Sequence, residues 1–350
     1  MKILQKVFLG FFVTAIVLVI LYMLGPKLEP VALTINYPEV GTITQIETYI
    51  AQREDSVQGL KPGNEAYIVW ANPETKEKTP YSIVYIHGFG ASPMEGDPVH
   101  RFLGAHFGAN VFVTRLPEHG IKRDNGMEHL TPEILADAAG EAYAIGKTIG
   151  DEVIVVGTSM GGALTILLGS QQPEIKALVA YSPAIRDNGQ RLEAFYSPWM
   201  EKLMEWTMSE NGVVHQEREG EKKLYWSEDY HMHGYESLAQ LMYSEMNSET
   251  FAKINQPFML GYYYKNEEEQ DFVVSVPKML EMFESISTPD RLKKEMAFPD
   301  AGDHVIASSI TSGDWEGVLF STIDFLENVA GIPAAAQFSE LNLNKVPTLD

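Results

Sequence analysis

The chain opens on a stretch from residue 7 to residue 24 without a single charged side chain. As a helix it would be about 27 Å long, close to the hydrocarbon thickness of a bilayer, so it predicts a membrane span over residues 1–25. From residue 26 to 38 the pattern is irregular and punctuated by proline. That suits a stalk, and a short helix is expected over 42–55 before the lead-in ends near residue 65. Beyond it, apolar runs rich in Val, Ile and Tyr recur between clusters of Gly, Pro and Asp, and predict strands at 66–71, 81–86, 110–115, 152–157, 177–181, 258–264 and 294–298. Helical spacing falls between them, at 132–149, 161–172, 276–286 and 317–329. Several strands are apolar at consecutive positions, as strands covered on both faces are, and the alternation predicts an α/β fold of three layers around a mostly parallel sheet.

The alternation breaks over 186–256, too long for an ordinary loop. Trp199, Trp206 and Trp226, with several tyrosines and methionines, make this part aromatic and amphipathic. A mostly helical cap is expected there, inserted between two core segments at 66–185 and 257–330. Residues 331–350 read as a tail.

Lys2 and Lys6 precede the apolar stretch, which orients the N-terminus to the cytoplasm by the positive-inside rule and puts the folded domain outside the inner membrane. Lys27 on the far side works against this orientation. Secretion after cleavage of a signal peptide is the alternative, but Gly25, Pro26 and Lys27 lack the small-x-small pattern of a cleavage site.

Of the 350 residues, 45% are hydrophobic, enough for one large core or a core with a subdomain. Lys and Arg number 26 against 48 Asp and Glu, a net charge of -22. Such a surface repels phosphate backbones, so nucleic acid is not an expected partner. There is no cysteine, which excludes disulfides, thiolate metal sites and a cysteine nucleophile.

Candidate chemistry centres on Gly157-Thr158-Ser159-Met160-Gly161, a Gly-x-Ser-x-Gly pattern placed after an apolar strand and before a helix. A serine lifted out of a strand-to-helix turn sits in a cramped backbone conformation, and its neighbours two positions away must lack side chains. A phosphate-binding loop is disfavoured, because no Gly-Lys-Ser/Thr follows.

This stretch resembles the nucleophile elbow of the α/β-hydrolase superfamily of serine hydrolases, and the order of the remaining parts is similar over residues 66–329. Tyr85-Ile86-His87-Gly88-Phe89-Gly90 resembles the family's His-Gly oxyanion motif. Leu116-Pro117-Glu118-His119-Gly120 resembles its following Gly-His-Gly loop, with glutamate in place of the first glycine. Among the branches the resemblance points to bacterial carboxylesterase and monoacylglycerol-lipase-like enzymes. It implies an oxyanion hole from the backbone N–H groups of Phe89 and Met160, the latter opening a helix whose dipole favours negative charge. His87 reads either as a residue fixing that loop or as a buried structural histidine, and not as a base.

A serine hydroxyl needs a neighbour to take its proton, and the family's chain order is Ser, then Asp or Glu, then His. Downstream histidines are His215, His231, His233 and His304, the first three within the expected cap. His304, in Gly302-Asp303-His304-Val305 after the last strand, occupies the place where the family delivers its base. Asp271, in Asp271-Phe272-Val273-Val274, resembles the family's acid, with Glu267, Glu268 and Glu269 as alternatives that read as a solvated loop. Asp303 reads as a turn residue. His231 and His233 with His215 raise a metal site, yet i, i+2 spacing fixes no third ligand, and neither metal nor cofactor is expected.

The resemblance therefore implies acyl transfer through Ser159, with esters ahead of amides or lactones and an apolar acyl or aryl group as the expected partner. A peptidase or lactonase on the same fold, or a catalytically idle scaffold that binds a ligand or protein, is the alternative. A serine at the elbow excludes the aspartate-nucleophile chemistry of dehalogenases and epoxide hydrolases.

Overall fold

The computed structural model describes residues 2–336, so the tail expected over 331–350 lies outside the described residues from 337 onward. Seven strands form the central sheet: β1 (Tyr67–Val69), β2 (Thr79–Ile86), β3 (Asn110–Val113), β4 (Gly150–Thr158), β5 (Ala177–Tyr181), β6 (Phe258–Tyr262) and β7 (Lys293–Ala297). Their order is β1-β3-β2-β4-β5-β6-β7, and every pairing is parallel except that of β1 with β3. All seven expected strands are present, the first, third and sixth shorter than expected.

Period-two alternation sorts the central strands between two cores. Val84 and Ile86 of β2 and Val153 and Val155 of β4 face one; Ile83, Tyr85, Ile154 and Val156 face the other. Helices α4 (Pro132–Ile149) and α5 (Met160–Gln171) cover the first face through residues such as Leu135, Ile145, Leu164 and Leu168. The second face lies under α3 (Val99–Phe107) and α9 (Trp315–Asn328), with Phe102, Leu103, Val318 and Phe325 buried. Burying both faces is why these strands read as continuous apolar runs.

Helix α3 was not among the expected elements. Its nine residues carry Gly104 and two histidines, which dilute the helical pattern, and its apolar stripe of Val99, Phe102, Leu103 and Phe107 is stabilised by packing on the sheet rather than by propensity. Residues 26–38 have no regular structure, as expected, and neither do residues 39–41, but the whole stretch lies against the domain. Leu33, Ile35 and Val40 are buried, and the Leu33 and Ile35 N–H groups donate to Glu245 and Gln171.

Between β5 and β6 the chain runs through α6 (Met200–Met208), α7 (Met232–Gln240) and shorter helical turns, with a two-stranded antiparallel ribbon of Val213–His215 and Asp229–His231. Helix α2 (Ile46–Asp55) precedes the sheet, and α8 (Val276–Ser285) joins β6 to β7. Helix α1 (Lys2–Met23) has an apolar 20-residue core, Leu4–Met23, with mean hydropathy 2.4 and none of it buried. Its C-terminal end touches the inserted segment: Trp199 Nε1 donates to Leu21 O at 3.1 Å, and Trp199 N donates to Pro26 O at 2.8 Å.

Candidate active site

Ser159 sits at the carboxyl end of β4, the middle strand of the sheet, where α5 begins. Its backbone takes φ 56° and ψ -118°, a left-handed conformation that costs a non-glycine residue energy and persists only where surroundings impose it. Three bonds do so: Ser159 N donates to Tyr181 O, and its own carbonyl accepts from Ala163 N and Ala184 N. The flanking glycines are required by contact. A Cβ at Gly161 would lie 2.0 Å from Ile86 O, and one at Gly157 would lie 2.3 Å from Gly161 O. No side chain fits at either position, which is the physical content of the sequence pattern.

Asp271 and His304 come from loops after β6 and β7, and the parallel pairing of these strands brings the loops together. His304 Nδ1 is 2.6 Å from Asp271 Oδ2. Asp271 is buried, and its other oxygen accepts the N–H groups of Val273 and Val274 at 2.8 and 3.0 Å, which fixes the carboxylate in the turn. Burial alone would make the imidazole harder to protonate. The carboxylate of Asp271 overrides that, with Asp303 adding to it, so His304 binds a proton more readily than an ordinary histidine. Its Nε2 is buried and, among the described residues, makes no hydrogen bond, Ser159 Oγ included.

Ser159 and His304 border one cavity of about 740 Å³ between the sheet edge and the inserted segment. Much of its wall is apolar, with Phe195, Met204, Met232, Leu238 and Met242 contributed by the insertion. Phe89 borders it too, and its ring packs against Tyr230 and Tyr235 of the insertion at centroid distances of 5.5 and 5.4 Å. Met160 is the first residue of α5, so its N–H has no partner within the helix.

The other expected residues are placed as follows. His87 is fully buried: Leu116 N donates to its Nε2 at 2.9 Å, and burial pushes its affinity for protons far down. It staples the end of β2 to the 116–120 loop, the structural reading of that residue. Glu267, Glu268 and Glu269 are exposed, and Glu269 pairs with Lys265. Asp303 accepts from Val305 N within its turn and pairs with Lys222. His215 is exposed beside Asp229, while His231 and His233 pack edge to face.

Sequence reasoning missed Glu95, a buried carboxyl that borders the cavity from the short turn Pro93–Gly96. No local pattern announces it, because its position is set by a turn folding back on β2. Tyr230, buried against the Phe89 loop, was read only as part of the aromatic content of the insertion.

Residues 83–309 match the alpha/beta hydrolase family. A thermostable monoacylglycerol lipase from Bacillus sp. (strain H-257) is 30% identical over 115 residues, 33% of this chain. The match spans 45% of the length of that curated relative. Among solved structures, a metagenome-derived lipolytic enzyme superposes with a TM-score of 0.60 at 17% identity, covering 77% of this chain and 99% of its own. A monoacylglycerol lipase from Paleococcus ferrophilus gives 0.55 at 18% identity, over 75% of this chain and 98% of its own. At these identities the two structures speak to fold alone.

Proposed function

Since the chain belongs to the alpha/beta hydrolase family, we propose that it is a membrane-anchored serine hydrolase that cleaves carboxylic esters through an acyl-enzyme on Ser159. The observation that carries this reading is a strained serine facing the same cavity as a histidine whose far nitrogen is held by a buried carboxylate. His304 Nε2 takes the Ser159 proton, the alkoxide attacks the carbonyl carbon, and the oxyanion is held by the N–H groups of Phe89 and Met160. The imidazolium then protonates the leaving alcohol, and a water activated by the same nitrogen releases the acid. Contacts between such a serine and histidine commonly tighten only in the substrate complex, so the free Nε2 is consistent with this role. The apolar wall of the cavity favours an apolar acyl or aryl group, and the lipase name of the sequence relative supports esters over amides.

The test is turnover of a panel of nitrophenyl esters, lactones and aminoacyl amides by the full chain. Esters are expected to lead, and amides cleaved faster than esters would overturn the reading. His304 must be neutral to act as base, and its proton affinity is raised. The acid limb of kcat/KM is therefore expected above the ordinary histidine value of 6.5, with activity lost as pH falls through it.

Helix α1 is read as the anchor, with its N-terminus in the cytoplasm and the catalytic domain outside. Because the chain has no cysteine, a thiol introduced by Glu267→Cys on an exposed loop is the only one present. Labelling of intact cells by a membrane-impermeant maleimide, with the protein retained in carbonate-washed membranes, is expected. Labelling only after lysis would reverse the orientation, and release of a shortened chain into the medium would favour signal cleavage.

A further inference from the structure

The mechanism above, on which this inference rests, makes no use of Glu95. Its carboxyl is 2% exposed yet borders the cavity shared by Ser159 and His304. Oε2 accepts the Gly88 N–H at 2.6 Å, and the Tyr85 hydroxyl stands 3.4 Å from the same oxygen. That hydroxyl is also 2.9 Å from Thr158 Oγ1, one residue before the nucleophile. Glu95 thus joins the end of β2 to the end of β4. A side-chain carbon added at Gly88 would lie 2.9 Å from Glu95 Oε1 and the same 2.9 Å from Ser159 Cβ, so the remaining oxygen and the serine share the side of Gly88 that a side chain would occupy.

The electrostatic surroundings come from each element packed on this turn. Tyr85 faces Glu95 from β2, His304 and Asp303 from the loop after β7, and Tyr230 from the insertion. Asp303 is itself neutralised by Lys222 at 2.9 Å. No lysine or arginine among the described residues makes an ion pair with Glu95. Burial dominates, and although the Gly88 N–H and His304 work against it, the carboxyl is pushed up to about 8.

We propose that Glu95 is a positioning residue: through the Gly88 N–H it holds the His87–Gly88 peptide, and with it the adjoining Gly88–Phe89 peptide, so that the Phe89 N–H meets the reacting oxygen. It does so as a neutral carboxylic acid, and its ionisation ends activity on the alkaline side. A buried N–H at Gly88 requires an acceptor, and the carbonyl oxygen of a protonated acid supplies one without charge. Once the proton leaves, a negative charge stands beside the site where the oxyanion develops, in a poorly solvated environment where like charges repel strongly. The transition state is then disfavoured more than the bound substrate, so kcat falls rather than KM rising.

The experiment compares Glu95→Gln and Glu95→Leu in the full chain, measuring kcat and KM from about pH 6 to about pH 10 with a soluble ester. Wild type is expected to lose kcat above about pH 8. The glutamine variant, whose amide oxygen still accepts from Gly88, should stay within about threefold of wild-type kcat near neutrality and lose the alkaline decline. The leucine variant should lose about 100-fold in kcat with KM little changed at every pH. In parallel, the infrared carbonyl band of a protonated carboxylic acid should disappear through the same alkaline range in wild type and be missing from the glutamine variant. A glutamine variant that keeps the alkaline decline, or that is disabled as severely as the leucine variant, overturns the proposal. So does an infrared band unchanged between wild type and glutamine variant. If the leucine variant does not fold, the glutamine profile still decides. Wild type that turns over no ester would instead refute the hydrolase reading, while the infrared titration still reports the protonation of Glu95.

Discussion

Replacing Ser159 with alanine is expected to lower kcat/KM by about five to six orders of magnitude and to abolish labelling by a fluorophosphonate probe. The strained turn is held by backbone bonds to Tyr181, Ala163 and Ala184 and by two glycine contacts, none of which involves the hydroxyl. The variant should therefore keep its fold and its melting temperature, and alanine relieves no clash because the Cβ remains. A companion His304→Ala variant should lose nearly as much, and the double variant little more, since a nucleophile without its base and a base without its nucleophile are equally idle. A labelled alanine variant, or losses that multiply across the pair, would remove Ser159 from the mechanism.

The second large effect is expected at Asp271. Asparagine there should cost about 10⁴-fold in kcat with KM and stability nearly unchanged. The reason lies in how the carboxylate is used. One oxygen accepts the N–H groups of Val273 and Val274, and only an oxygen can do so; the asparagine amide must therefore turn its NH2 toward His304 Nδ1. The imidazole would then carry its proton on Nε2, the nitrogen that has to be free to accept one from the serine. Loss of the negative charge also removes the main cause of the raised proton affinity of His304, so any residual activity should show its acid limb at lower pH. Steady-state kinetics of the variant across pH checks both points. A variant within tenfold of wild type would hand the acid role to another carboxylate.

Much of the fold was legible because it depends on local periodicity. Strands buried on both faces must be apolar at every position, and the runs at 81–86, 152–157 and 177–181 could be read directly. The short helix α3 could not, since its nine residues hold helical form by lying on the sheet. The same limit applies to residues 26–41, whose spaced apolar residues look like a linker until Leu33 and Ile35 are seen buried against the domain. In the site, the elbow was visible because five consecutive residues carry its pattern: Gly157 is kept bare by Gly161 O within the turn, although the Ile86 O that excludes a side chain at Gly161 comes from the neighbouring strand. Glu95 carried no such mark, and its meaning arises from a turn that returns the chain onto Gly88.

What the amino-acid order determined alone was the class of fold, the strained turn and the apolar N-terminal helix, each a property of a few neighbouring residues and their solvation. What only the tertiary structure decided was the contact between His304 and Asp271, the carboxylate that the resemblance had singled out, and the burial of Glu95 beside the serine. Those pairings join positions far apart in the chain. They are set by strand order and by the packing of loops at one edge of the sheet, and no local pattern of residues encodes a distance across a fold.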